Sequence, residues 1–158
     1  MIRRLWRAKL KIVAGIVALL LTGFTAIQFV PYGHDHNNPS ARIEPVWDSP
    51  QTRELVVRAC YDCHSNETER PWYSNIAPIS WIVLDHVEVG RHRLNFSEWD
   101  LHQRKADRAV RTINRGSMPP GYFTLLHGDA EFSDVEREEL VTGLRATLKA
   151  NGYPDERR

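Results

Sequence analysis

Apolar residues fall along this chain in two patterns. From Ile12 to Val30 they run almost unbroken, as IVAGIVALLLTGFTAIQFV, and beyond that they recur in short stretches at helical spacing. The first pattern covers 19 residues, roughly 28 Å as a helix and close to a bilayer core of ~30 Å. It is apolar all round and not along one stripe, which predicts a transmembrane helix rather than a helix buried in a core. Residues 1–33 therefore read as a basic leader and a signal anchor. The rival is a cleavable signal peptide, which needs small residues at −3 and −1 of the cut. A cut after Ala26 would place Phe24 at −3, and no A-x-A stands near the end of the run.

The second pattern predicts about four helices, in an all-α domain over 49–152, after a polar, turn-rich linker over 34–48 that holds His34 and His36. The first helix starts at Ser49 as cap and Pro50 as first helical residue, buries Leu55, Val56 and Ala59, and runs into Cys60. A second, from about Pro78 to Val89, places Ile79, Ile82, Val83 and Val87 on one face and stops at Gly90. A third is expected from Ser97, with Asp100 at its third position, Ala106, Ala109, Val110 and Ile113 buried, and Gly116 as its left-handed stop. Its exposed side carries Arg104, Lys105, Arg108, Arg111 and Arg115, a solvated face or a docking surface for an acidic partner. The last opens on the Ser133-x-x-Glu136 capping box, buries Leu140, Val141, Leu144 and Leu148, and ends at Asn151-Gly152. Residues 153–158 make a polar tail.

Charge refines the picture at the N-terminus. Arg3, Arg4, Arg7, Lys9 and Lys11 precede any acidic residue, which orients the N-terminus to the cytoplasm and the chain beyond the helix to the outside. Without those five of the 21 basic residues, 16 remain against 20 acidic ones, a balance of about −4. That is no footprint for nucleic acid, which asks for a basic patch.

The candidate chemistry sits where the first domain helix ends. Cys60-Tyr61-Asp62-Cys63-His64 reads C-x-x-C-H and holds the only two cysteines of the chain. The pattern is that of covalent haem attachment. Two thiols add across the two haem vinyl groups, and the histidine after the second cysteine is delivered to the iron as proximal ligand. A redox dithiol would normally open a helix after a strand, whereas the residues before Cys60 look helical. Structural zinc would need four ligands. No second C-x-x-C exists, and His86 and His92 are six apart. Trp72, Tyr73 and Trp81 are candidates to pack on the haem.

A second informative stretch is Gly116-Ser117-Met118-Pro119-Pro120-Gly121-Tyr122. Met118 is the only methionine after the first residue and lies 54 positions beyond His64. A thioether is a weak ligand that cannot organise a loose loop, and two prolines stiffen this one. Met118 is the expected sixth ligand, with His86 and His127 as alternatives.

These parts in order resemble class I c-type cytochromes. More closely, the chain is similar to a family of small bacterial haem-binding domain proteins with a membrane-spanning N-terminus. The resemblance rests on Asn66-Glu67-Thr68, Pro71-Trp72-Tyr73-Ser74, Ile76-Ala77-Pro78, Ser80-Trp81, Leu94-Asn95-Phe96-Ser97-Glu98-Trp99 and Met118-Pro119-Pro120, and covers roughly Ser49 to Gly152. It implies a cytochrome c-like fold with one covalent haem c. The expectation is a single-pass protein of the bacterial inner membrane whose haem domain lies in the periplasm and passes single electrons between redox partner proteins. A haem-based sensor or a peroxidase-like enzyme with a displaceable sixth ligand is the alternative.

Overall fold

The computed structural model describes residues 2–153, so most of the expected tail lies outside the described residues. Among these residues the chain is all-helical, without strands; one isolated bridge joins Ile43 and Glu98. The chain divides into two compact units, one formed by residues up to His36 with Pro71–Leu84, the other by Asn37–Arg70 with the residues from Asp85 onward.

The first unit is dominated by α1 (Ile2–Ile27), whose apolar side chains are exposed along its length. Its 26 residues make a rod of roughly 39 Å, long and apolar enough to cross a bilayer. It begins ten residues before the apolar run, because the basic leader is itself helical. A 3-10 turn, Trp72–Asn75, and the start of α3 (Ile79–Arg93) complete the unit.

The second unit is built on α2 (Pro50–His64) and α6 (Asp134–Ala150). Ser49 caps α2 by accepting from Thr52 N–H at 3.1 Å, with Pro50 in the first turn, as the sequence predicts. α2 buries Leu55, Val56, Ala59 and Tyr61 against Leu140, Val141, Leu144 and Leu148 of α6. Each fully buried leucine contributes about 2 kcal/mol. The helices come close at Gly143, where a Cβ would stand 1.9 Å from Thr52 Oγ1. At the other end Arg58 pairs with Glu136 at 2.7 Å.

The expected capping box is present: Ser133 Oγ accepts from Glu136 N–H, and Glu136 accepts from Ser133 N–H at 2.9 Å. That N–H, with the Arg58 guanidinium and the Ser133 hydroxyl, holds the Glu136 carboxyl down at about 2. Its stabilising contribution is present above the ordinary carboxylate pKa of ~4.3 and is lost as pH falls towards 2. Glu136→Gln should therefore melt at a temperature that falls less steeply than wild type between those limits, in a pH series of thermal melts.

Two elements differ from the sequence pattern. α3 does not stop at Gly90 but continues to Arg93. The helix expected from Ser97 begins much later, as a 3-10 turn at Ala106–Arg108 followed by α4 (Ala109–Asn114). Ser97 is buried in a loop, where its hydroxyl accepts from Asn66 N–H at 3.0 Å and its carbonyl accepts from Arg42 and Ile43. Those distant partners outweigh the local S-x-x-D pattern. Val110 and Ile113 are still buried, and Gly116 adopts φ +65 just past the end of α4, as its stop role requires. Of the five basic residues, Arg104 and Lys105 precede the 3-10 turn, Arg108 lies in it, and Arg111 and Arg115 lie in and after α4. A short α5 (Gly121–Leu126) comes after the Pro119-Pro120 pair.

Candidate functional site

Cys60, Cys63 and His64 occupy the last turns of α2. Helical periodicity places positions 60, 63 and 64 on one side of the helix. Cys60 packs against the hydrophobic core, and both thiols are free. Burial pushes the Cys60 thiol up to about 12, helped by Cys63. Burial, then the Asp62 carboxylate, pushes Cys63 up to about 11. Reactive dithiols have the opposite signature, a depressed pKa in an electropositive setting. Among the described residues no three His, Cys, Asp or Glu side chains gather as ligands for a metal ion.

His64 is fixed from behind. Its Nδ1 lies 2.9 Å from the carbonyl of Leu94, which only an Nδ1–H can satisfy. Nε2 is then left with a lone pair, the form in which imidazole binds a metal. Burial lowers the pKa of this ring, against the opposing pull of the Leu94 and Gly90 carbonyls, so the neutral form is favoured.

The Leu94 carbonyl is held in turn by a polar cluster, of which the sequence offers Asn66, Asn95, Ser97 and Glu98 as motif residues without this role and does not offer Gln103. Phe96 N–H donates to His64 O at 2.8 Å. Asn95 N–H donates to Gln103 Oε1 at 2.8 Å, and Asn95 Nδ2 donates to Asn66 Oδ1 at 2.9 Å. Asn66 Nδ2 donates to Ser40 O and Glu98 Oε1. Asn66, Asn95, Ser97 and Gln103 are all buried. Arg91 ties the loop after the motif to α3, donating to Ser65 O at 2.7 Å and Thr68 Oγ1 at 2.9 Å. Gly90 lets α3 approach: a Cβ there would stand 2.2 Å from Cys63 O. A mid-helix glycine beside the motif was the only sequence signal for this contact, and it resembles a helix stop.

Met118 is partly buried against the same core as Cys60. Tyr122, four residues on, stacks on His86 with ring centroids 5.3 Å apart and its hydroxyl 3.3 Å from Nδ1. Burial, and then Cys63, raises the pKa of the Tyr122 hydroxyl. His127 stacks on Phe123 at 4.1 Å and sits close enough to Asp62 to oppose the upward push of burial on that carboxyl. Trp72, Tyr73 and Trp81 all fall in the first unit; Trp72 meets Tyr73 edge-on at 5.9 Å, and Trp81 packs on Gly33.

Comparison with protein families finds a match to a model described as a haem-binding domain, over residues 22–146. No curated protein and no solved structure matches the chain.

Proposed function

The chain belongs to the haem-binding domain family, and from that premise we propose that it is a mono-haem c-type cytochrome carrying single electrons at the periplasmic face of the bacterial inner membrane. The observation that carries the reading is the His64–Leu94 bond, which leaves Nε2 as the only ring nitrogen able to meet a metal. The donor set fits the group. Cys60 and Cys63 supply two thiols at the attachment spacing, in a helix whose last residue is that histidine. A zinc site or a redox dithiol would use the same two thiols; the histidine directly after Cys63 is what favours haem.

A bound haem supplies one-electron exchange at iron. The chain's part is to hold His64 neutral and oriented, to keep water from the apolar side of α2, and to offer Met118 from a proline-stiffened segment. Were Met118 and His64 both to hold the iron, the neutral thioether would favour its ferrous state. α1 anchors the protein, and its five leading basic residues set the orientation. Redox partner proteins deliver and remove the electron.

The test is haem staining on a denaturing gel after expression with a c-type maturation system. The stain should survive denaturation and vanish in the Cys60→Ala, Cys63→Ala double variant. An unstained wild-type band beside a fully matured control cytochrome would end the reading. Met118→Ala should then let the reduced protein bind carbon monoxide much more readily. Equal binding by wild type would remove Met118 as ligand and favour a sensor or peroxidase-like role.

A further inference from the structure

The apolar surface of α1 does not end with the helix. Gln28, the next residue, clasps Ala77 at two points: Nε2 donates to Ala77 O and Oε1 accepts from Ala77 N–H, each at 3.0 Å. His36 Nε2 lies 3.1 Å from Ser74 O. Gly33, at φ +86, packs so closely that a Cβ would stand 2.8 Å from both the Ser80 backbone and the Trp81 ring. Three ties thus fasten residues 71–84 to the chain leaving α1, all within one compact unit.

Apart from Asn75, what this segment leaves exposed is apolar. Trp72 is 76% exposed, Ile82 53% and Ile79 43%, and Phe29 beside Gln28 is 82% exposed. Ile79 and Ile82 are three apart and share a helix face. Water gives such side chains no reason to stand exposed in the unit that holds the apolar α1. The boundary between headgroups and acyl chains does, because it solvates the apolar body of tryptophan and its N–H together.

We infer that Trp72, Ile79 and Ile82 seat in the headgroup boundary of the bilayer that α1 crosses, as a second membrane contact of the same unit. This rests on the membrane-spanning reading of α1. The ties of this segment to the chain directly after α1, with Phe29 exposed beside them, are what select lipid as the occupant, over the haem, a protein partner or a second copy. Trp72, read from the sequence as a candidate to pack on haem, is on this inference a lipid anchor.

The full chain, labelled with fluorotryptophan and reconstituted at one copy per nanodisc, tests it by fluorine NMR. Trp6→Phe and Trp72→Phe assign two signals. Trp6 lies in α1 and reports lipid contact of that helix independently. A lipid carrying a nitroxide near the glycerol should broaden Trp72 as strongly as Trp6, and a water-soluble gadolinium chelate should broaden Trp72 less than the lipid probe does. Trp72 broadened by the chelate and spared by the lipid, with Trp6 still broadened by lipid, overturns this inference alone and leaves the face to water or a protein partner. If Trp6 also escapes the lipid probe, the spanning reading falls and this inference falls with it.

Discussion

Gly90→Ala should lower the melting temperature of the haem-loaded protein by about 10 °C, a loss on the order of 3 kcal/mol for a domain of this size. The usual sign of this substitution is the reverse: within a helix, alanine is favoured over glycine by about 1 kcal/mol. Here space decides. The added Cβ would stand 2.2 Å from Cys63 O and 2.9 Å from Cys63 C. Both are backbone atoms, so no rotamer change relieves the contact, and α2 and α3 must separate. Overpacking typically costs about 1–3 kcal/mol, and more where backbone must move. Separation also draws the Leu94 carbonyl, one turn on in the chain, away from His64 Nδ1. Gly121→Ala is the control, because a Cβ there meets nothing within 4 Å. Thermal melts of the two variants decide: a Gly90→Ala shift no larger than that of Gly121→Ala would show that α3 does not press on the motif.

The same glycine shows which parts of the fold could be read from the sequence. Helix ends fixed by local chemistry were legible. Ser49 with Pro50 and Ser133 with Glu136 each satisfy their own helix terminus within three residues, so the pattern and the structure agree. Gly90 and Ser97 carry equally plausible local signals, a stop and a cap, yet each serves a partner far along the chain: Cys63 for Gly90, Asn66 for Ser97. Residues 34–48 read as a linker because nothing in their own sequence binds them. In the structure His36, Asn38, Arg42, Ile43 and Glu44 all make hydrogen bonds, and their partners include Ser74, Thr68, Asp100, Ser97 and Arg53.

The candidate site divides the same way. Cys60, Cys63 and His64 fall within five consecutive residues, so their chemistry is written in one stretch. The groups that orient the histidine are a main-chain carbonyl at Leu94 and buried amides at Asn66, Asn95 and Gln103. A carbonyl has no sequence signature, and a buried asparagine looks like a loop residue until its partners are known.

Asn66→Ala should be the costliest change in that supporting cluster, on the order of 3 kcal/mol. Asn66 joins three segments: Nδ2 donates to Ser40 O at 3.1 Å and Glu98 Oε1 at 3.0 Å, and Oδ1 accepts from Asn95 Nδ2 at 2.9 Å. Alanine removes all three bonds and strands the Asn95 amide where water does not reach. An unmet buried donor costs about 1–3 kcal/mol, and a hydrogen bond to a carboxylate is worth about 1.5–3 kcal/mol. Asn95 is next to Leu94, so the loss loosens the carbonyl that fixes the His64 tautomer. Denaturant unfolding of Asn66→Ala, Asn95→Ala and the double variant separates this pairing from general damage. Once either amide is gone, the other has already lost its partner, so the double variant should cost less than the sum of the singles by roughly 1 kcal/mol. Strict additivity would mean that the two amides stabilise the loop independently, and that the carbonyl behind His64 is held by Gln103 and the backbone alone.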